Sequence, residues 1–106
     1  MGSSAHGATE LWRWAKLNWG KIEDALPAKM QAIILGLVLD GLNTESQIGD
    51  VRGFFAGRDT VAYNQALDQK LEGMEVRMRW AKRDIDDVKA WLEAHGYLDR
   101  GLGRTQ

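Results

Sequence analysis

The chain has 106 residues, no cysteine, and a net charge of −1 from 14 basic and 15 acidic side chains. That length suits one domain with one modest core. The even charge gives no reason to expect a nucleic acid or a membrane surface as partner, and the missing cysteines exclude disulfides, thiol nucleophiles and Cys-based zinc sites.

In chain order, residues 1–8 are small and polar, and the Met1-Gly2-Ser3-Ser4 opening reads as an expression-tag remnant. They are expected to form a disordered tail and are set aside. Thr9 is then the expected N-cap of a first helix, with Glu10 in its first turn where a carboxylate suits the helix dipole. Trp12, Ala15, Trp19, Ile22 and Leu26 fall at helical spacing and form its buried stripe. Trp14 points off that stripe, toward a second neighbour or into water. The tryptophans read as core packing; an aromatic cage for a cationic ligand would need convergent acidic partners, and none is legible.

Pro27 interrupts this helix, because proline disfavours a helical residue before it, and it suits the first turn of the next one. That helix, Ala28 to Asp40, carries Ile33, Ile34, Leu35, Leu37, Val38 and Leu39 with almost no polar face. It is buried all round, or buried against something outside this chain. Its apolar run from Met30 to Leu39 is about half the ~20 residues a membrane span needs. Gly41 is the expected left-handed stop.

Thr44-Glu45-Ser46-Gln47 is a capping box, and Ile48, Val51 and Phe55 follow as a short stripe ended by Gly57. Asp59 or Thr60 caps the next helix, which the pattern carries without a break from Thr60 to Arg83. Leu67, Leu71, Met74, Met78 and Ala81 are its expected buried stripe. Ala62, Ala66, Gly73, Val76 and Trp80 form a second, small-residue line beside it, and Gln69 sits on the wet edge. This long helix is expected to be the inner one. Asp84 with Asp87 reads as a further cap, and Ile85, Val88, Trp91 and Leu92 face inward on the last helix. Gly96 stands at its C′ position with Tyr97 after it. Residues 99–106 read as a flexible tail.

The expected fold is therefore all-α, about five antiparallel helices over residues 9–98, with turns short enough for an α-solenoid or a bundle. No repeat period is legible.

Few residues suggest chemistry. His6 and His95 make no metal-ligand set, and His95 is expected to serve a helix C-terminus. Asp84, Asp86 and Asp87 are read as first-turn capping residues rather than a metal or acid/base group. Arg77, Arg79, Lys82 and Arg83 lie within a turn of Glu72, Glu75, Asp86 and Asp87, so surface ion pairs account for them. No catalytic, cofactor-binding or metal-ligating residue is assigned.

Several stretches together resemble one family. Leu11-Trp12-Arg13-Trp14-Ala15-Lys16-Leu17-Asn18-Trp19 is similar to the Trp-x-aromatic-x-x-x-Asn-Trp segment of zinc-dependent neutral aminopeptidases, the gluzincins of puromycin-sensitive and endoplasmic-reticulum type. Leu26-Pro27, Thr44-Glu45-Ser46-Gln47-Ile48, Phe54-Phe55, Asp59-Thr60, Arg77 to Trp80, Trp91-Leu92 and Gly96-Tyr97 follow in the family's order. The match runs from Leu11 to Tyr97 and looks most like fungal members. Gly49, Gly53 and Gly73 depart from the pattern, each at a cost of up to ~1 kcal/mol in a helix interior.

The resemblance implies a non-catalytic C-terminal domain, the end of a HEAT- or armadillo-like α-solenoid that helps to enclose the peptide chamber. In the family the zinc and the catalytic motifs lie upstream, so no cofactor is implied for this chain. The implied partners are upstream domains of a parent enzyme or another protein, or a second copy joined through the N-terminal helices. The cytoplasm is the expected compartment. A different class is a stand-alone helical interaction module derived from that domain; a small independent hydrolase is a third, disfavoured reading.

Overall fold

The computed structural model describes residues 3–97, with side chains from residue 7 onward. The expected 99–106 tail and the His6 side chain lie outside the described residues.

Seven helices and no strand occupy the described residues: α1 Ser3–Leu17, α2 Trp19–Ala25, α3 Ala28–Gly41, α4 Glu45–Phe55, α5 Val61–Leu71, α6 Val76–Arg79 and α7 Lys82–Ala94. The all-α expectation holds. Two of the five expected helices are divided, and each division has a local cause.

Helix α1 begins at Ser3, so residues 3–8, set aside above, are helical, and Thr9 lies inside the helix rather than capping it. Ala8 is buried with Leu11, which explains why the helix extends back over it. A single residue, Asn18, separates α1 from α2; its amide Nδ2 donates to the Trp14 carbonyl at 2.8 Å. The break is slight enough to leave the stripe intact, and Trp12, Ala15, Trp19 and Ile22 are all buried. Leu26 is extended ahead of Pro27, as steric conflict with the proline ring requires, and Pro27 is itself the N-cap of α3.

Helix α3 is the inner one. Ala32 to Leu35 are fully covered, as is Val38, and the helix packs against α1, α2, α5, α6 and α7. An apolar surface on every side suits a helix surrounded by its neighbours within the chain. Gly41 is its last residue and does not take the left-handed conformation expected of it. The chain leaves through Leu42, which is extended and buried. Gly36 is where α3 meets α6: a Cβ there would stand 2.8 Å from Val76 Cγ2, so only glycine permits this approach.

The Thr44 capping box is formed as expected, with Gln47 N–H donating to Thr44 Oγ1 at 3.1 Å and Thr44 N–H to Gln47 Oε1. Val51 and Phe55 are buried. Asp59 rather than Thr60 serves the start of α5, its Oδ1 accepting from Val61 N–H at 3.1 Å.

The largest correction is to the expected unbroken helix over Thr60–Arg83. It stops at Leu71, because Gly73 adopts φ 76° and Met74 N–H closes back on the Gln69 carbonyl at 3.1 Å. The same closure ends α7, where Gly96 has φ 107° and Tyr97 N–H reaches the Leu92 carbonyl at 2.9 Å. The expected burial is also inverted. Leu71 is 75% exposed and Met78 67%, whereas Gln69 is 1% exposed. The small-residue line faces α3 instead, with Ala62, Ala66 and Val76 buried. Small side chains let α5 and α6 approach a helix already crowded with Ile and Leu.

On either side of Gly73 the chain is tied to α3. Lys70 Nζ donates to the Leu39 carbonyl at 3.0 Å, and Asp40 Oδ2 accepts from Val76 N–H at 3.1 Å, serving an orphan donor at the start of α6.

These two glycine roles are separable. Gly73→Ala forces a side chain into the left-handed region and is expected to destabilise by about 1–2 kcal/mol. Gly53→Ala, in the α4 interior with nothing near its Cβ position, is expected to stabilise by about 0.5–1 kcal/mol. Thermal melts of the two variants check the assignment; equal shifts would refute it.

Candidate functional site

The most organised polar cluster joins α1 to α4. Capping of α4 by Thr44 sets its first turns, and that places Asp50 opposite the face of α1 that carries Trp12 and Lys16. The Trp12 indole Nε1 donates to Asp50 Oδ2 at 2.8 Å, and Lys16 Nζ donates to the same oxygen at 2.7 Å. The Lys16 ammonium also stands 5.7 Å from the Trp12 ring centroid. Hydrogen bonds from Lys16 and then Trp12 hold the Asp50 carboxyl below the ordinary carboxylate range, against a smaller upward push from burial. Because the folded pKa is lowered, this contribution to stability is present above the ordinary carboxylate pKa and fades as pH falls through the folded one. Asp50 is 51% exposed, so solvent screens much of the effect.

Beside this cluster runs an open groove of about 410 Å³, lined among others by Thr9, Arg13, Ser46 and Gln47. Gln47 Nε2 also reaches Thr9 Oγ1 at 3.5 Å. Chemically the arrangement is a clamp between two helices: both donors are committed to one carboxylate oxygen.

The residues singled out in the sequence are dispersed. Asp84 is in the first turn of α7 but makes no cap; it pairs with Lys29 Nζ at 3.0 Å, tying α7 to the start of α3. Asp86 pairs with Lys82 at 2.8 Å, so the capping account of the three aspartates gives way to ion pairing for these two. Of the basic cluster, Arg79 meets Glu72 at 3.0 Å and Arg77 meets Glu75 at 3.6 Å, as surface pairing predicted. His95 is the C-cap of α7, its ring stacked on Trp91 at 4.2 Å and its Nδ1 3.0 Å from the Trp91 carbonyl. Trp14 has the second neighbour, meeting Tyr97 edge-on at 5.7 Å. Among the described residues no three His, Cys, Asp or Glu side chains converge as metal ligands. Among the described residues no helix is long and apolar enough to cross a membrane.

Sequence reasoning missed the Asp50 clamp. Its partners lie 34 and 38 residues away, and periodicity within one helix carries no information about which face of another it meets.

Fold and clusters together define an all-α helical unit whose charged and aromatic groups mainly join one helix to the next. Aminopeptidase 2 of Candida albicans is 34% identical over 101 residues, covering 92% of this chain and 11% of that protein. Aminopeptidase 2, mitochondrial, of Saccharomyces cerevisiae is 31% identical with the same coverage, and endoplasmic reticulum aminopeptidase 1 of Mus musculus is 23% identical over 88% of this chain and 10% of that protein. The chain belongs to the zinc-dependent neutral aminopeptidase family, as a relative of its C-terminal part. It spans about a tenth of the length of the curated relatives it matches. No family profile matches the chain, and no solved structure matches it.

Proposed function

We propose that this chain acts as a non-catalytic helical element of an aminopeptidase, continuing a HEAT-like stack that helps to enclose the peptide chamber. The observation that carries the reading is the asymmetry of the match: nine-tenths of this chain align with only a tenth of each relative. Such a relation is expected of a structural segment whose catalytic groups lie elsewhere in the polypeptide. The zinc belongs to that other part, and the partner is the helical surface just upstream. The cytoplasm remains our proposed compartment.

The test is complementation. An aminopeptidase shortened by the region that matches this chain should lose peptide hydrolysis and recover it when the chain is added in trans. The chain alone, supplied with zinc, should hydrolyse no aminoacyl amide. Hydrolysis by the purified chain, or no recovery despite a folded chain, would overturn the proposal.

A second reading, a stand-alone helical interaction module, is favoured by one observation. Trp12 and Trp19, read as core packing in the sequence, are 5% and 4% exposed and are covered within the chain by Phe54 and Phe55 of α4. That burial also removes the motive for pairing two copies through α1 and α3. Sedimentation as a monomer at every concentration, with failed complementation, would select this second reading.

A further inference from the structure

We propose that the groove between α6 and α7 is a docking site for an acidic peptide segment bearing one aliphatic side chain. The inference goes beyond the function proposed above and does not depend on it.

Helix α3 is covered nearly everywhere, but Leu37 is only partly buried, and it lies where α6 and α7 diverge. With Val76 and Ile85 it forms the apolar floor of an opening of about 330 Å³, at the small end of the range for ligand pockets. Three cations stand on its rim, Arg77 from α6 and Lys82 and Lys89 from α7, against a single carboxylate, Asp86. The chain as a whole carries a charge of −1, so this excess is local. Lys89 has no carboxylate partner among the described residues. Arg77 holds Glu75 only at 3.6 Å, and the Lys82–Asp86 pair is an exposed i,i+4 contact, 86% and 53% accessible. Exposed pairs of this kind are worth little, so these cations can turn toward a ligand at small cost.

The complementary occupant follows from that layout. An apolar floor this small takes one Leu- or Ile-sized side chain, and a positive rim favours carboxylates on either side of it while it repels a basic segment. Val76 and Ile85 are 4% and 6% exposed, so the floor is set by core packing. It is preformed and does not have to be ordered on binding.

The probe is a short synthetic peptide of Asp and Glu around one Leu, titrated calorimetrically into the full chain. Binding should weaken as salt rises, because the rim charges are exposed. Lys89→Glu, a surface change outside the floor, should weaken it about tenfold, and replacing the peptide's Leu by Ser should weaken it further. Circular dichroism confirms that Lys89→Glu remains folded. No binding of the acidic peptide, equal binding of a Lys-flanked one, or indifference to Lys89→Glu would overturn the proposal. So would sedimentation showing a second copy of the chain seated there, a dimer lost in Lys89→Glu.

Discussion

Phe55→Ala should cost this chain about 3–5 kcal/mol, a large part of the ~5–15 kcal/mol that holds a small domain folded. Phe55 is 1% exposed and touches four rings: Tyr63 stacked at 5.3 Å, Trp19 and Phe54 edge-on at 5.2 and 5.0 Å, and Trp12 tilted at 6.2 Å. Helix α4 is attached to the other helices by these side chains, with Val51, Ile48 and the Asp50 clamp beside them. Truncation therefore removes the joint between α4 and the rest as well as leaving a ring-sized cavity. Two readouts should move together: the denaturation midpoint falls, and the tryptophan emission shifts to the red as water reaches Trp12 and Trp19. A loss under ~1 kcal/mol with unchanged emission would show that α4 does not cover the tryptophans.

What could be read in advance divides by range. Local chemistry was legible: the Thr44–Gln47 box, the extended residue before Pro27 and the Gly96–Tyr97 ending each depend on a few adjacent residues, and each is present. The all-apolar α3 sequence left burial within the chain and burial against something outside it both open, and the first holds, although the long Thr60–Arg83 pattern was taken for the inner helix. That pattern misled because Gly73 was weighed as a costly helical residue, when with Met74 after it the same residue is a C′ stop like Gly96. Once the break is missed, a stripe drawn from Leu67 to Ala81 joins positions that do not share a face. The choice of face had a second cause. Large apolar residues at Leu71 and Met78 outweighed alanines at 62 and 66, yet close packing on a bulky partner selects the alanines. The clamp at Asp50 and the rim of the α6–α7 groove unite residues from different helices, and nothing within one helix announces them.

The sharpest check of the revised packing compares three positions. Leu35→Ala, at the centre of α3 with no exposed surface, should cost about 2–5 kcal/mol, since the surrounding helices cannot collapse onto the space. Leu71→Ala, at the exposed end of α5, should fall within about ±0.5 kcal/mol, and alanine's helix propensity offsets much of any loss. Gln69 separates packing from polarity. Its side chain is buried, and its Oε1 has no hydrogen-bond partner among the described residues. Gln69→Ala should destabilise by about 1–3 kcal/mol through the cavity it leaves. Gln69→Leu keeps the volume and removes an unpaired polar atom, so it should be neutral or stabilising by about 1 kcal/mol. Denaturant melts of the four variants decide it. A Leu71→Ala loss as large as that of Leu35→Ala would restore the face suggested by periodicity alone. A Gln69→Leu loss equal to that of Gln69→Ala would instead show that the amide is satisfied, and that this buried glutamine holds α5 in register by hydrogen bonding rather than by its bulk.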